Sequence, residues 1–148
     1  MIDYMKEAIK EALKAKKNGE VPIGAVVVLN GKIIGRGRNK REKTQNALHH
    51  AEVIAIDKAC KKMKSWRLDN AEIYITLEPC PMCAGAISNA RIKKAIYAAK
   101  DSSENSQIIQ DIFTSTRLNH KVIYEQGNYA EECSKILTDF FKDKRNKK

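Results

Sequence analysis

The chain has 148 residues, 28 of them Lys or Arg against 18 Asp or Glu, giving a formal net charge of +10 at pH 7. That length suits one domain with a substantial buried core, and no apolar run approaches the ~20 residues of a membrane span. The cationic surplus suits a polyanionic partner such as nucleic acid, although a lysine-rich surface alone would give the same balance.

Ile2, Met5, Ile9 and Leu13 recur at spacings of three and four, which predicts an amphipathic helix ending at the stop signal Asn18-Gly19. This acidic-basic start does not read as a signal peptide, so the expected location is the cytoplasm. Ile23 to Leu29 is a continuous apolar, β-rich run. Asn30-Gly31 reads as a two-residue hairpin turn, with Lys32 to Gly37 as the returning strand. A polar loop from Arg38 to Leu48 follows. His50 opens a helix whose apolar face is Val53, Ile54, Ile56, Ala59 and Met63, and Ile73 to Leu77 reads as a strand. Pro81 suits the first turn of the next helix, where its missing N–H is not needed; that helix runs to about Ala90. Ala95 to Ala98 is a further strand, a short helix fits near Ile108 to Phe113, and Val122 to Tyr124 is the last strand. Tyr129 to Phe141 closes the fold as a helix with Ile136, Leu137, Phe140 and Phe141 apolar, leaving a basic tail, residues 142–148.

Strand-helix-strand units imply parallel neighbours with right-handed crossovers, and the hairpin supplies an antiparallel edge. The expected fold is α/β: one domain over residues 1–148, a three-layer α/β/α sandwich around a five-stranded mixed sheet. Four cysteines in an intracellular chain do not suggest a disulfide set. Cys60 and Cys133 occupy apolar helix positions and read as core residues.

Two stretches thirty residues apart carry the chemistry, His50-Ala51-Glu52 and Pro79-Cys80-Pro81-Met82-Cys83. His50, Cys80 and Cys83 offer one nitrogen and two sulfurs, a donor set that suits Zn²⁺, and three protein ligands leave the fourth tetrahedral position open to water. Both motifs fall at helix starts, where the partial positive charge favours thiolates. Glu52, two residues after His50, is close enough to reach that water and take its proton. The pattern is the H-x-E…P-C-x-x-C signature of zinc nucleobase deaminases, so one Zn²⁺ per chain is expected. Blander readings exist. A structural zinc would need a fourth protein ligand, and none is obvious. Glu52 alone could be a solvated helix residue. His49 competes with His50 but lacks the Ala-Glu sequel and reads as a loop or interface residue. His120 reads as a structural histidine, and Asn39, after a Gly-x-Gly-x turn, as a loop asparagine.

Further matches extend the pattern: Val21-Pro22-Ile23-Gly24-Ala25-Val26, Gly37-Arg38-Asn39, Thr76-Leu77-Glu78-Pro79-Cys80-Pro81-Met82-Cys83-Ala84-Gly85-Ala86, Ala90-Arg91-Ile92, Asn119-His120-Lys121-Val122 and Asp139-Phe140-Phe141. In this order, and from about Tyr4 to Arg145, the chain resembles the bacterial TadA-type tRNA adenosine deaminases. The resemblance implies hydrolytic deamination of the wobble adenosine of an arginine tRNA to inosine, by a cytoplasmic homodimer. It implies substrate contacts from Asn39, Ala51 and Pro79, and contacts to flanking nucleotides from Phe140, Phe141, Lys144 and Arg145. Arg91, Lys93 and Lys94 are further basic residues that could meet phosphates. The chain departs from the family at Ser102 to Ile109, which lacks the usual glycines, and at Asn46-Ala47-Leu48-His49, where Asp-Pro is common. Two rivals stand beside this reading: a deaminase of a free base or nucleoside, of guanine or cytosine type, and a zinc-stabilised RNA-binding module without catalysis.

Overall fold

The computed structural model describes residues 1–146. Its elements are α1 (Tyr4–Lys17), β1 (Gly24–Leu29), β2 (Lys32–Arg38), α2 (Arg41–Thr44), α3 (Ala51–Met63), β3 (Glu72–Leu77), α4 (Pro81–Asn89), β4 (Lys94–Ala99), α5 (Ser103–Thr114), β5 (Ile123–Gln126) and α6 (Ala130–Asn146). The strands form one sheet in the order β2-β1-β3-β4-β5. β1 runs antiparallel to β2 and β3, while β3, β4 and β5 are mutually parallel. The sheet is therefore five-stranded and mixed, as the element order predicts.

Strand β1 is apolar throughout because both of its faces are covered. Ala25 and Val27 join the core under α3, α4 and α5, whereas Val26 and Val28 join the core under α1 and α6. This alternation makes the three layers. The β1–β2 turn places Asn30 at φ 51° and Gly31 at φ 76°, both left-handed, as a type I′ hairpin demands.

Glycines set how closely the helices approach. A Cβ on Gly35 would lie 2.2 Å from the Ala55 carbonyl oxygen, and one on Gly37 2.1 Å from that of Ala51. Helix α3 thus rests directly on the backbone of β2. These glycines lie within the strand itself, not in a turn before Asn39 as the sequence suggests.

Several elements differ from expectation. Arg41–Thr44 forms one helical turn inside the predicted loop. It is held by the buried carboxylate of Glu20, which accepts from the Glu42 and Lys43 amides at 3.1 and 2.8 Å. Helix α5 starts at Ser103, earlier than Ile108, because Ser102 caps it by accepting from the Asn105 N–H. Helix α6 runs on to Asn146. Lys142, Lys144 and Arg145 are therefore helical and do not belong to a tail; Lys147 and Lys148 lie outside the described residues. Leu13 and Met63 are 46% and 41% exposed, at the margins of their helices' buried faces. Cys133 is buried, whereas Cys60 is half-buried at the edge of the core. Among the described residues, no helix is long and apolar enough to cross a membrane.

Candidate metal centre and active site

His50 and Cys80 are the N-cap residues of α3 and α4, each with extended backbone angles. That conformation turns both side chains toward the gap between the two helix ends. Pro81 follows as the first helical residue of α4, and Cys83 lies one turn in, fully buried. The His50 Nδ1 stands 3.6 Å from the Cys80 Sγ and 3.5 Å from the Cys83 Sγ. The three donor atoms lie within 4.8 Å of one another.

These spacings fit a zinc ion. Zn–N near ~2.05 Å and Zn–S near ~2.3 Å at a tetrahedral angle place nitrogen and sulfur about 3.6 Å apart. The thiols themselves also suit a cation. The Cys83 thiol, working against burial, holds Cys80 down to about 5. The same contact, reinforced by burial, pushes Cys83 well above the usual thiol range. A thiolate and a thiol thus share a proton where a dication can replace it.

Glu52 sits in the first turn of α3, only 4% exposed. Burial pushes its carboxyl up to about 7, close to the range in which a side chain both accepts and donates protons at neutral pH. Glu52, His50 and Cys80 line a cavity of about 180 Å³, together with Asn39, Ala51 and Asp101. Asn39 is itself 7% exposed, and its Oδ1 accepts from the Arg41 N–H at 3.1 Å.

The remaining expected site residues divide. Asn39 and Ala51 are on the cavity wall. Pro79 is fully buried and outside that wall; its carbonyl accepts from the Asn105 Nδ2 at 3.3 Å. Phe140 is also buried, under the Lys144 ammonium at 5.4 Å. Phe141 is 46% exposed. It lines a groove that shares Val21, Leu77 and Asp101 with the cavity. Arg145 is exposed on the last turn of α6. His49 is a loop residue, its Nδ1 2.8 Å from the Thr44 Oγ1. His120 is tied to the Ile92 carbonyl at 2.7 Å and is not one of the metal-ligand group.

Arg41, Glu78, Asp101 and Asn105 also line the cavity, and the metal-ligand spacing in the sequence marks none of them. The signal for Glu78 is local: a carboxylate between the apolar Leu77 and a proline, at a strand end, has to find donors.

A five-stranded mixed sheet with a His-Cys-Cys group beside a cavity that a buried glutamate lines defines a deaminase of the cytidine deaminase-like class. The MafB19-like deaminase family matches residues 2–145. The tRNA-specific adenosine deaminase of Bacillus subtilis is 49% identical, over 98% of this chain and 91% of that protein. A solved structure from work on A-to-I editing by tRNA deaminases at the wobble position of transfer RNA superposes with a TM-score of 0.83 at 38% identity, covering 90% of this chain and 98% of its own. A guanine deaminase from Bacillus subtilis gives 0.64 at 35% identity, covering 97% and 92%. The chain belongs to the family of the tRNA-specific adenosine deaminases.

Proposed function

We propose that this protein converts adenosine to inosine at the wobble position of a tRNA, with an arginine tRNA as the substrate that the family resemblance suggests. The observation that carries this reading is the buried Glu52 on the wall of the cavity that His50 and Cys80 also line. The 49% identity to a tRNA-specific adenosine deaminase supports the choice of substrate.

His50, Cys80 and Cys83 would hold one zinc ion. Bound zinc supplies a Lewis acid that makes water a nucleophile at neutral pH. Glu52 takes the proton of the attacking water as its oxygen bonds to C6 of adenine, and delivers that proton to N1. Glu52 then passes the second proton to the exocyclic amine, which leaves as ammonia. A carboxyl held near neutrality by burial can do both. Asn39 and Ala51, which line the same cavity, orient the base. A cavity of about 180 Å³ holds a base but no duplex, so the nucleotide has to arrive unpaired and splayed out, as in an anticodon loop.

Phe141 in the groove beside the cavity, with Lys144 and Arg145 on the same helix, would meet flanking nucleotides. The protein works as a cytoplasmic homodimer in this reading. The guanine deaminase likeness keeps a second reading in play, at a lower TM-score than the tRNA enzyme. Mass detection of inosine in an anticodon stem-loop after incubation with the zinc-loaded protein tests the proposal. Guanine consumption without inosine would favour the rival.

A further inference from the structure

We propose that Glu78 is the positioning residue of the metal loop: it fixes Cys80 by tying the chain two residues upstream to α5 and β5. The inference rests on the zinc deaminase reading and names a part of that site.

Glu78 is a charged residue only 3% exposed. Its Oε1 accepts from the Asp101 N–H at 3.1 Å and from the Ser106 hydroxyl at 2.5 Å. Its Oε2 accepts from the Tyr124 hydroxyl at 2.6 Å. The donors come from the loop after β4, from α5 and from β5. The Glu78 N–H donates to the Ala99 carbonyl at 2.9 Å, so the backbone is pinned as well. A buried carboxylate is costly unless its lone pairs are filled, and here three donors from three segments fill them.

Between this anchor and the ligand Cys80 stands one residue, Pro79. Its ring fixes φ, and it restricts Glu78 to extended geometry. The Pro79 carbonyl is held in turn by Asn105 from the first turn of α5. Little freedom is left between Glu78 and Cys80, so a displacement of Glu78 carries through to the Cys80 sulfur. Glu78 borders the same cavity as Glu52, but both of its carboxylate oxygens are engaged by the protein, so it acts through Cys80 and not on the substrate.

An acid is needed here, not only a polar side chain. Three donors converge, and a carboxamide offers one acceptor oxygen and adds donors of its own. Glu78→Gln therefore keeps the size and breaks the match. Tyr124→Phe and Ser106→Ala each remove one donor and leave Glu78 in place.

The test loads the wild type and these three variants with cobalt(II) in place of zinc. The visible bands of cobalt follow ligand geometry and need no substrate. In Glu78→Gln the bands should shift and the metal should leave faster to a chelator. With zinc, kcat on an anticodon stem-loop should fall about tenfold or more while KM stays within about twofold, the range usual for outer-sphere partners of a metal site. Tyr124→Phe and Ser106→Ala should move the bands the same way by less. A folded Glu78→Gln protein with wild-type bands, chelator rate and kcat would overturn the proposal. If that variant does not fold, unchanged bands in both single-donor variants would overturn it, and shifted bands would support it. A wild type that binds cobalt but deaminates no RNA would sink the substrate reading and leave the band comparison standing.

Discussion

Gly37 in β2 lies against Ala51 at the start of α3 so closely that a Cβ on the glycine would stand 2.1 Å from the Ala51 carbonyl oxygen. Ala51 separates His50 from Glu52, so this contact sets the depth of both groups relative to the sheet. Gly37→Ala has to push the helix start outward, because backbone cannot yield as a flexible side chain can. The expected result is a destabilisation of about 1–3 kcal/mol with a loss of zinc affinity on the order of tenfold. Urea unfolding and competitive metal titration read the two effects.

Gly85 gives the contrast. It is an exposed residue of α4, and a Cβ there would meet nothing within 4 Å. Gly85→Ala should raise stability by about 0.5–1 kcal/mol, the helix cost of glycine relative to alanine. The urea midpoint of the isolated protein checks it. Equal destabilisation by both substitutions would refute the close approach at Gly37 as the cause.

Cys83→Ser should lower zinc content well below one ion per chain, since a neutral hydroxyl replaces a thiolate ligand. Metal analysis after gel filtration decides the matter. Full zinc retention would remove Cys83 from the ligand set.

The metal loop and Glu52 are legible in the sequence because their spacing is local: two short motifs placed at helix starts bring four groups together once the helices lie side by side. The apolar run of β1 and the Asn30-Gly31 turn are equally plain. Helix α2 is not, since one turn shows no periodicity and is held by Glu20, some twenty residues away. The early start of α5 is hidden in Ser102-Ser103-Glu104-Asn105, which reads as loop until the serine cap is recognised. Lys142 to Arg145 read as a tail because a polar run at a terminus lacks an apolar stripe, whereas Lys and Arg propagate an exposed helix well. The role of Glu78 depends on Tyr124 and Ser106, partners that no local pattern announces.

The basic end of α6 should contribute through phosphates. Replacing Lys142 and Arg145 by Gln keeps the helix and removes two charges that stand clear of the core. Affinity for a stem-loop should drop without a change in which base is deaminated, because phosphate contacts position but do not specify. The slope of log affinity against log salt should become shallower by roughly 0.7 to 0.9 for each phosphate no longer neutralised. Filter binding at several salt concentrations reads the slope; an unchanged slope would assign these charges to solubility.

The central claim is that Glu52 moves protons for deamination of a tRNA adenosine. The most direct measurement compares kcat/KM of the wild type and Glu52→Ala, both zinc-loaded, on an anticodon stem-loop with wobble adenosine, beside free adenosine and guanine. Inosine should form from the stem-loop alone. In Glu52→Ala the rate should fall by ~10² to 10⁴, the range of a general acid–base group, with fold and zinc content unchanged. Stem-loop activity in Glu52→Ala within about threefold of wild type, or equal turnover of free guanine, would contradict the claim.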